Sequence, residues 1–391
     1  MAPTRRLTPF LGIALLWACP TPLAAMEGLE HLTRAIYDRP APPRPTAKIG
    51  SVGGVTWPRE QCIQTGLIWL AKAQEADGHW GCKRWDGAGD SDVAVTGLAL
   101  TAFLAVGYTH TKGRFKATVA KGLLWLKTQQ RPDGSFPWKT FYEQGMATIA
   151  VCEAYGRTQD AQVRDLAQRA VGYIIGVQPD HGGFRYQGAV AKEQGDLSVS
   201  GWQMLAIANA IAGGLDVPPQ AAQRSLVLLK NTYAGDGGSS YLVGGQNPTP
   251  SMSAIGMFCR QLFGGPDDEI AAAAGFLRRT LRQPPAADDP KAGPERNLYL
   301  THYVSLALFQ MGGDYWPWWQ TRYRDPLTRL QVTENFDGRG RFLRGSWDPE
   351  KHQFGSAGGR VYTTAMALLC LEAPYRYAPF YRKRLPKPTD F

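Results

Sequence analysis

Asp90-Ser91-Asp92-Val93 sets two carboxylates two positions apart at the head of an apolar run, Ser91–Leu104. Two further carboxylates, Glu143 and Asp196, stand at the heads of similar runs. Such groups suit acid–base chemistry, because burial or a second negative charge keeps a carboxyl protonated while cations and hydrogen bonds keep it ionised. Tyr142, Trp202, Tyr299, His302, Tyr303 and Tyr362 lie at or near the starts of the same runs, and together they could wall an apolar cavity. Aromatic faces of that kind attract cations. Every one of these residues also has a plainer reading. Asp92, Gln144, Asp196, Thr249, Asn297 and Arg360 each precede a recurring hydroxyl by four positions, and four of the six are of helix N-cap type. A lone histidine in an apolar helix, such as His302, is more often a core residue than a catalyst. Most of the 12 Trp and 16 Tyr belong to packing.

These candidates sit on a repeating frame. Lys121–Phe136, KGLLWLKTQQRPDGSF, reads as an amphipathic helix that stops at Asp133-Gly134 and ends on an aromatic. Thr65–Trp80 and Arg169–Phe184 repeat it, with Gln74, Gly78 and Trp80, or Gln178, Gly182 and Phe184, in the places of Gln130, Gly134 and Phe136. Between the copies run Ser91–Leu104, Tyr142–Tyr155, Leu197–Ile211, Pro250–Phe263, Leu298–Met311 and Arg360–Leu371, each apolar nearly all round. Thr96, Thr148, Ser200 and Ser253 recur within them at steps of 52, 52 and 53 residues, and Thr301 and Thr364 continue the series. An outer amphipathic helix, a Gly-rich turn and a buried inner helix, six times over, predict an all-α fold. Inner helices buried on every side point to one closed α6/α6 toroid rather than an open array, which would need polar end caps.

The motif Lys/Arg-Gly/Ala-x-x-aromatic-aliphatic-x-x-x-Gln-x-x-x-Gly-x-Trp/Phe, matched by Lys121-Gly122, Trp125-Leu126, Gln130, Gly134 and Phe136, resembles the QW repeat of squalene–hopene cyclases and protein-prenyltransferase β subunits. The copy near Arg224–Tyr241 is degraded, the one near Ala274–Gln283 keeps only its helix, and the last stretches from Gln331 to Gly345-Ser346-Trp347. The resemblance implies a squalene-cyclase-like toroid over roughly residues 60 to 380. Asp90-Ser91-Asp92-Val93 is also similar to the Asp-x-Asp-Asp motif of class II terpene cyclases. On that match Asp92 is the acid that protonates an alkene or epoxide, and Asp90 supports it. Val93 stands where the third carboxylate belongs. The implied activity is that of an isoprenoid-binding protein or a protonation-initiated cyclase. The prenyltransferase zinc pattern is not matched, since Met257 sits two before Cys259 and His302 has no matching partners. The Cys-Gly-Glu-Gln thioester of complement-type toroids and an Asp-rich magnesium motif are also missing from the sequence, so no metal or cofactor is expected. Complete squalene cyclases pair two domains with a membrane-inserting segment, whereas one ring is read here.

The 391 residues carry a net charge of +10, with no Arg/Lys stripe interleaved with aromatics, so a nucleic-acid partner is not expected. A hydrophobic small molecule and a peripheral membrane contact are the partners the reading allows. Residues 1–25 have the form of an export signal, with Arg5-Arg6 ahead of a short apolar stretch, and Leu16-Trp17-Ala18-Cys19 resembles a lipobox through which Cys19 would be lipid-anchored. Residues 26–57 read as a Pro-rich linker with a short helix over Glu27–Tyr37, 58–382 as the toroid, and 383–391 as a basic tail. Cys62 and Cys82 flank the first outer helix and could pair in an oxidising compartment. Two other functions compete. An exported α/α barrel can cleave polysaccharide, here with Asp92, Glu143, Asp196 and Arg185 as reactive groups and Trp80 and Trp202 as sugar platforms. A non-catalytic binding toroid is the third.

Overall fold

The computed structural model describes residues 29–37, 57–188, 195–282 and 293–381; the leader, most of the linker and the basic tail lie outside them. Twelve long helices follow in order: α1 (Trp57–Ala73), α2 (Asp92–Ala105), α3 (Lys116–Gln129), α4 (Tyr142–Thr158), α5 (Ala161–Gly176), α6 (Leu197–Gly213), α7 (Pro219–Asn231), α8 (Pro250–Phe263), α9 (Asp267–Thr280), α10 (Leu298–Met311), α11 (Tyr315–Arg329) and α12 (Gly355–Leu371). Even-numbered helices form the inner ring, each packed on the next, and α12 packs back on α2. The all-α toroid expected from the repeat is therefore closed. Inner helices are buried all round, as their composition requires; in α2 every residue from Val93 to Ala105 is buried. The last inner helix begins earlier than its apolar run and breaks at Gly359, which has φ +66°.

The repeated glutamine is a brace between neighbouring outer helices. Gln74 Nε2 donates to Gly78 O at 2.8 Å within its own turn and to Thr118 O of α3 at 2.9 Å. Gln130 does the same with Gly134 O and Leu166 O of α5, and Gln178 reaches Ala221 O of α7. Gln331, separated from its glycine by the insertion, still donates to Gly345 O at 2.9 Å and to Cys62 O of α1 at 2.8 Å. One bond type thus joins successive repeats and also closes the outer ring.

The repeated hydroxyl has a structural task as well. Thr96, Ser200, Ser253 and Thr364 accept the backbone N–H of Trp80, Phe184, Ser239 and Trp347, which pins each turn to the head of its inner helix. In the second repeat Gln144 takes over, its Oε1 accepting Phe136 N–H at 2.8 Å. Thr96 is wholly buried. Thr96→Val should therefore strand the Trp80 N–H and lower stability by about 1–3 kcal/mol, read from urea unfolding.

The C-terminal ends of the inner helices are covered by residues 29–37, which hold only a one-turn 3-10 helix at Arg34–Tyr37, and by the short α13 (Ala373–Arg376) with the residues after it. Tyr37 and Tyr377 both bond to Asn209 of α6. Gln310 of α10 accepts from Phe380 N–H at 2.9 Å. Beneath them Arg376 and Arg157 share the buried carboxylate of Glu153, at 3.1 and 2.7 Å. Cys62, Cys82, Cys152, Cys259 and Cys370 are all buried and free, so the Cys62–Cys82 pairing is not formed.

Candidate functional site

The inner helices all start on the other face, and their heads gather the candidate residues. Asp90 lies on the rim, half exposed, between Lys83 and Lys139, whose Nζ is 2.6 Å from Oδ2. Hydrogen bonds from Lys139 and then Lys83 hold its carboxyl down at about 2. Two ammonium groups thus offset the charge of Asp90, which leaves little net negative field to keep a neighbouring carboxyl protonated. Asp92 turns toward the outer–inner connection: Oδ1 accepts Cys82 N–H at 2.8 Å, and Oδ2 is 3.8 Å from His79 Nε2. His79 itself pairs with Asp77 at 2.6 Å and stacks on Trp125. Asp92 does not cap its helix. Of the six equivalent positions, Asp196, Thr249 and Asn297 cap through Val199, Met252 and Leu300 N–H, while Asp92, Gln144 and Arg360 do not.

Glu143 is buried and occupied. It accepts from the Ser91 and Thr140 hydroxyls and from the Lys139 and Thr140 backbone N–H groups, which ties the head of α2 to that of α4. Asp196 is different. It is wholly buried, and its Oδ1 accepts Val199 N–H at 2.7 Å and the Ser198 hydroxyl at 2.8 Å. Ser198 Oγ lies 2.7 Å from the Tyr142 hydroxyl, which makes a chain from Asp196 to the mouth of the ring. Arg185 Nε stands 3.9 Å from Oδ2. Burial pushes the Asp196 carboxyl above its ordinary value, against the pull of the Val199 and Ser198 hydrogen bonds and the Arg185 charge.

A carboxyl with a raised folded pKa binds more protons folded than unfolded, so it takes stability away as pH climbs from the unfolded value of 3.8 through the folded one. Below 3.8 both states are protonated and the penalty vanishes. Urea unfolding of the wild type and Asp196→Asn across this range should show a shallower decline for the variant.

Around Asp196 stand aromatics from several repeats. Tyr142 meets Tyr186 edge-on at 5.6 Å, and the Tyr241 hydroxyl donates to that of Tyr186 at 3.0 Å. Tyr299 donates to Ser198 O at 3.1 Å. Deeper in, Trp202 stacks on His302 with centroids 5.8 Å apart and planes 8° from parallel, and Tyr303 packs edge-on against both. Since α6 and α10 flank α8 in the inner ring, these contacts bridge the two helices on the inner side of α8. Burial holds His302 far below its usual range, hence neutral, and Trp202, His302 and Tyr303 have almost no exposure. Tyr142, Tyr299 and Tyr362 are only partly buried and form the walls, with the exposed Phe354 beside Tyr299.

The structure thus brings Tyr142, Asp196, Trp202, Tyr299, His302 and Tyr303 together and leaves Asp90 and Asp92 at the rim. Trp80 is fully buried, its Nε1 donating to Leu70 O, so it is a brace and offers no face to a sugar. Tyr186 and Tyr241 were not among the site candidates because both lie in connections between helices, Tyr241 at the end of the degraded copy Arg224–Tyr241. A second aromatic two positions beyond the repeat aromatic, as in Trp138 after Phe136 and Tyr186 after Phe184, was the available signal. Among the described residues no cluster of three or more His, Cys, Asp or Glu could hold a metal ion. None of their helices is long and apolar enough to cross a membrane.

No protein-family profile matches the chain, and no curated protein matches it in sequence. Solved structures do match. The type II terpene cyclase MstE from Scytonema, without ligand, superposes with a TM-score of 0.54 at 14% identity, covering 81% of this chain and 98% of that one. The α-1,6-mannanase from Salegentibacter sp. gives 0.59 at 10%, over 81% and 98%. An α-amylase from Clostridium perfringens gives 0.56 at 11%, over 80% and 97%. What these proteins share with the chain is the α/α toroid, the fold that the QW-type repeat implies. One fold carries both cyclase and glycosidase chemistry.

Proposed function

We propose that this chain is an exported, terpene-cyclase-like toroid that binds an isoprenoid-type ligand in the mouth of its inner ring, and that Asp196 is the proton donor for the ligand's conversion. The observation that carries the reading is the wholly buried Asp196 carboxyl, linked through Ser198 to Tyr142 and surrounded by tyrosines with Trp202 below. Partly buried Tyr142, Tyr299 and Tyr362 offer apolar area to a polyprene and π faces to a developing cation. Burial raises the Asp196 carboxyl above its ordinary value, the direction that an acid for an alkene or epoxide needs. Its proton has a route outward along Ser198 and Tyr142. Export rests on the leader-like residues 1–25.

Polysaccharide cleavage is less well supported. Hydrolysis needs two working carboxyl groups, and of its candidates Glu143 is filled by four donors while Asp92, at the rim, accepts Cys82 N–H, which leaves Asp196 alone beside the aromatics. The likeness to the mannanase is of fold.

The test uses the purified chain with squalene and with geranylgeraniol. Quenching of tryptophan emission reports binding, and mass spectrometry of extracts reports conversion. Saturable quenching and a cyclised product are expected of the wild type and of Asp92→Asn. Asp196→Asn should keep the quenching and lose the product. Product that persists in Asp196→Asn removes the acid assignment, and absence of any quenching removes the isoprenoid reading.

A further inference from the structure

On the face opposite the mouth, by the ends of α2 and α4, a second cavity of about 500 Å³ is lined by Arg34, Tyr37, Thr109, Lys112, Arg157 and Thr158. Among the described residues its charge is one-sided, with three cations and no carboxylate in the lining. The nearby acids are already engaged. Glu153 is shared by Arg157 and Arg376, so one carboxylate faces two guanidinium groups. Asp160 accepts from His110 Nε2 at 2.9 Å and from Gln162 N–H.

The cations are also placed. Arg34 Nε donates to Gly156 O at 3.3 Å, which holds its guanidinium at the cavity. Arg157 is fixed by Glu153 and by Arg376 O at 3.0 Å, with its guanidinium 4.8 Å from the centre of the Tyr37 ring. Thr109 Oγ1 accepts the N–H groups of Thr111 and Lys112 and shapes the loop that carries Lys112. Basic groups near helix C-termini also complement the helix dipole, and Arg34 does so at Gly156. Capping alone explains neither the third cation nor a hollow of this size between the three. Guanidinium forks match phosphate oxygens two at a time, and an ammonium adds a mobile point charge. The volume lies within the range of small-molecule sites and exceeds what a bare inorganic ion fills.

We propose that this basal cavity binds a phosphate-bearing ligand, with Arg34, Lys112 and Arg157 as the phosphate contacts. The phosphate belongs either to a soluble ester or to a phospholipid head group, and the two are separated by experiment. Calorimetry of the full chain with inorganic phosphate at low salt should show saturable binding. Flotation with phosphatidylcholine vesicles, with and without phosphatidylglycerol, reads the second source. Arg34→Gln with Lys112→Gln is the informative variant, because both residues are exposed and the buried Arg157–Glu153 pair stays intact. Phosphate affinity should fall at least about tenfold in that variant. Phosphate binding with no capture by vesicles assigns the site to a soluble ester; capture that phosphate competes away and the variant loses assigns it to a head group. Lack of saturable phosphate binding, or equal binding by the double variant, overturns the proposal.

Discussion

Replacing Gly345 with alanine should cost about 3 kcal/mol or more, in contrast to the smaller loss at a glycine that touches nothing. Gly345 has φ +96°, and a Cβ there would lie 2.3 Å from Thr65 O in the backbone of α1. A side chain in that conformation costs about 1–2 kcal/mol by itself. Overpacking against a backbone that cannot yield adds about 1–3 kcal/mol. Relief by moving α1 away would break the Gln331 bond to Cys62 O, which closes the outer ring. Gly235 is the control. Its φ is +82° with no atom within 4 Å of a built Cβ, so Gly235→Ala should show only the conformational cost. Equal losses for the two variants in urea unfolding would mean that the close approach at the seam carries no energy.

Glu153→Gln should be still more damaging, at about 3–5 kcal/mol, because it removes the buried carboxylate that two guanidinium groups share. Glu153 and Arg376 are fully buried, and Arg157 nearly so. The pair itself is not a net source of stability, since desolvating both ions offsets most of their attraction. The double substitution Glu153→Met with Arg376→Met should therefore recover part of the loss. A double-mutant cycle checks this: Glu153→Gln within about 1 kcal/mol of wild type would show that water reaches the cluster.

The ring could be read in the sequence because its signals are local. Six apolar runs, the Gln-to-Gly spacing and the recurring hydroxyl each report what one repeat needs, and even Gln331 could be matched to Gly345 across the insertion. Orientation at the helix heads was harder. Asp92 and Asp196 occupy equivalent positions, yet one braces Cys82 N–H with a half-exposed carboxyl and the other is buried behind Ser198. The difference is made by residues from other repeats, including Arg185 and Tyr142, which no spacing within one run could predict. Gln144 escaped for the opposite reason: it does the hydroxyl's work with a different side chain. The cover formed by residues 29–37 and 373–381 has no repeat signature, and its contacts span most of the chain length.

That cover brings the two ends of the described chain together. His31 stacks on Phe380 at 5.5 Å, and Ala378 N–H donates to Ile36 O. Because the seam between the sixth repeat and the first uses the same glutamine brace as other joints, the fold has no privileged beginning. A circular permutant that links these neighbouring ends and opens the chain in the exposed turn near Gly244 should assemble the same molecule, and the order of the repeats in synthesis would then be an accident of history rather than a requirement of the architecture.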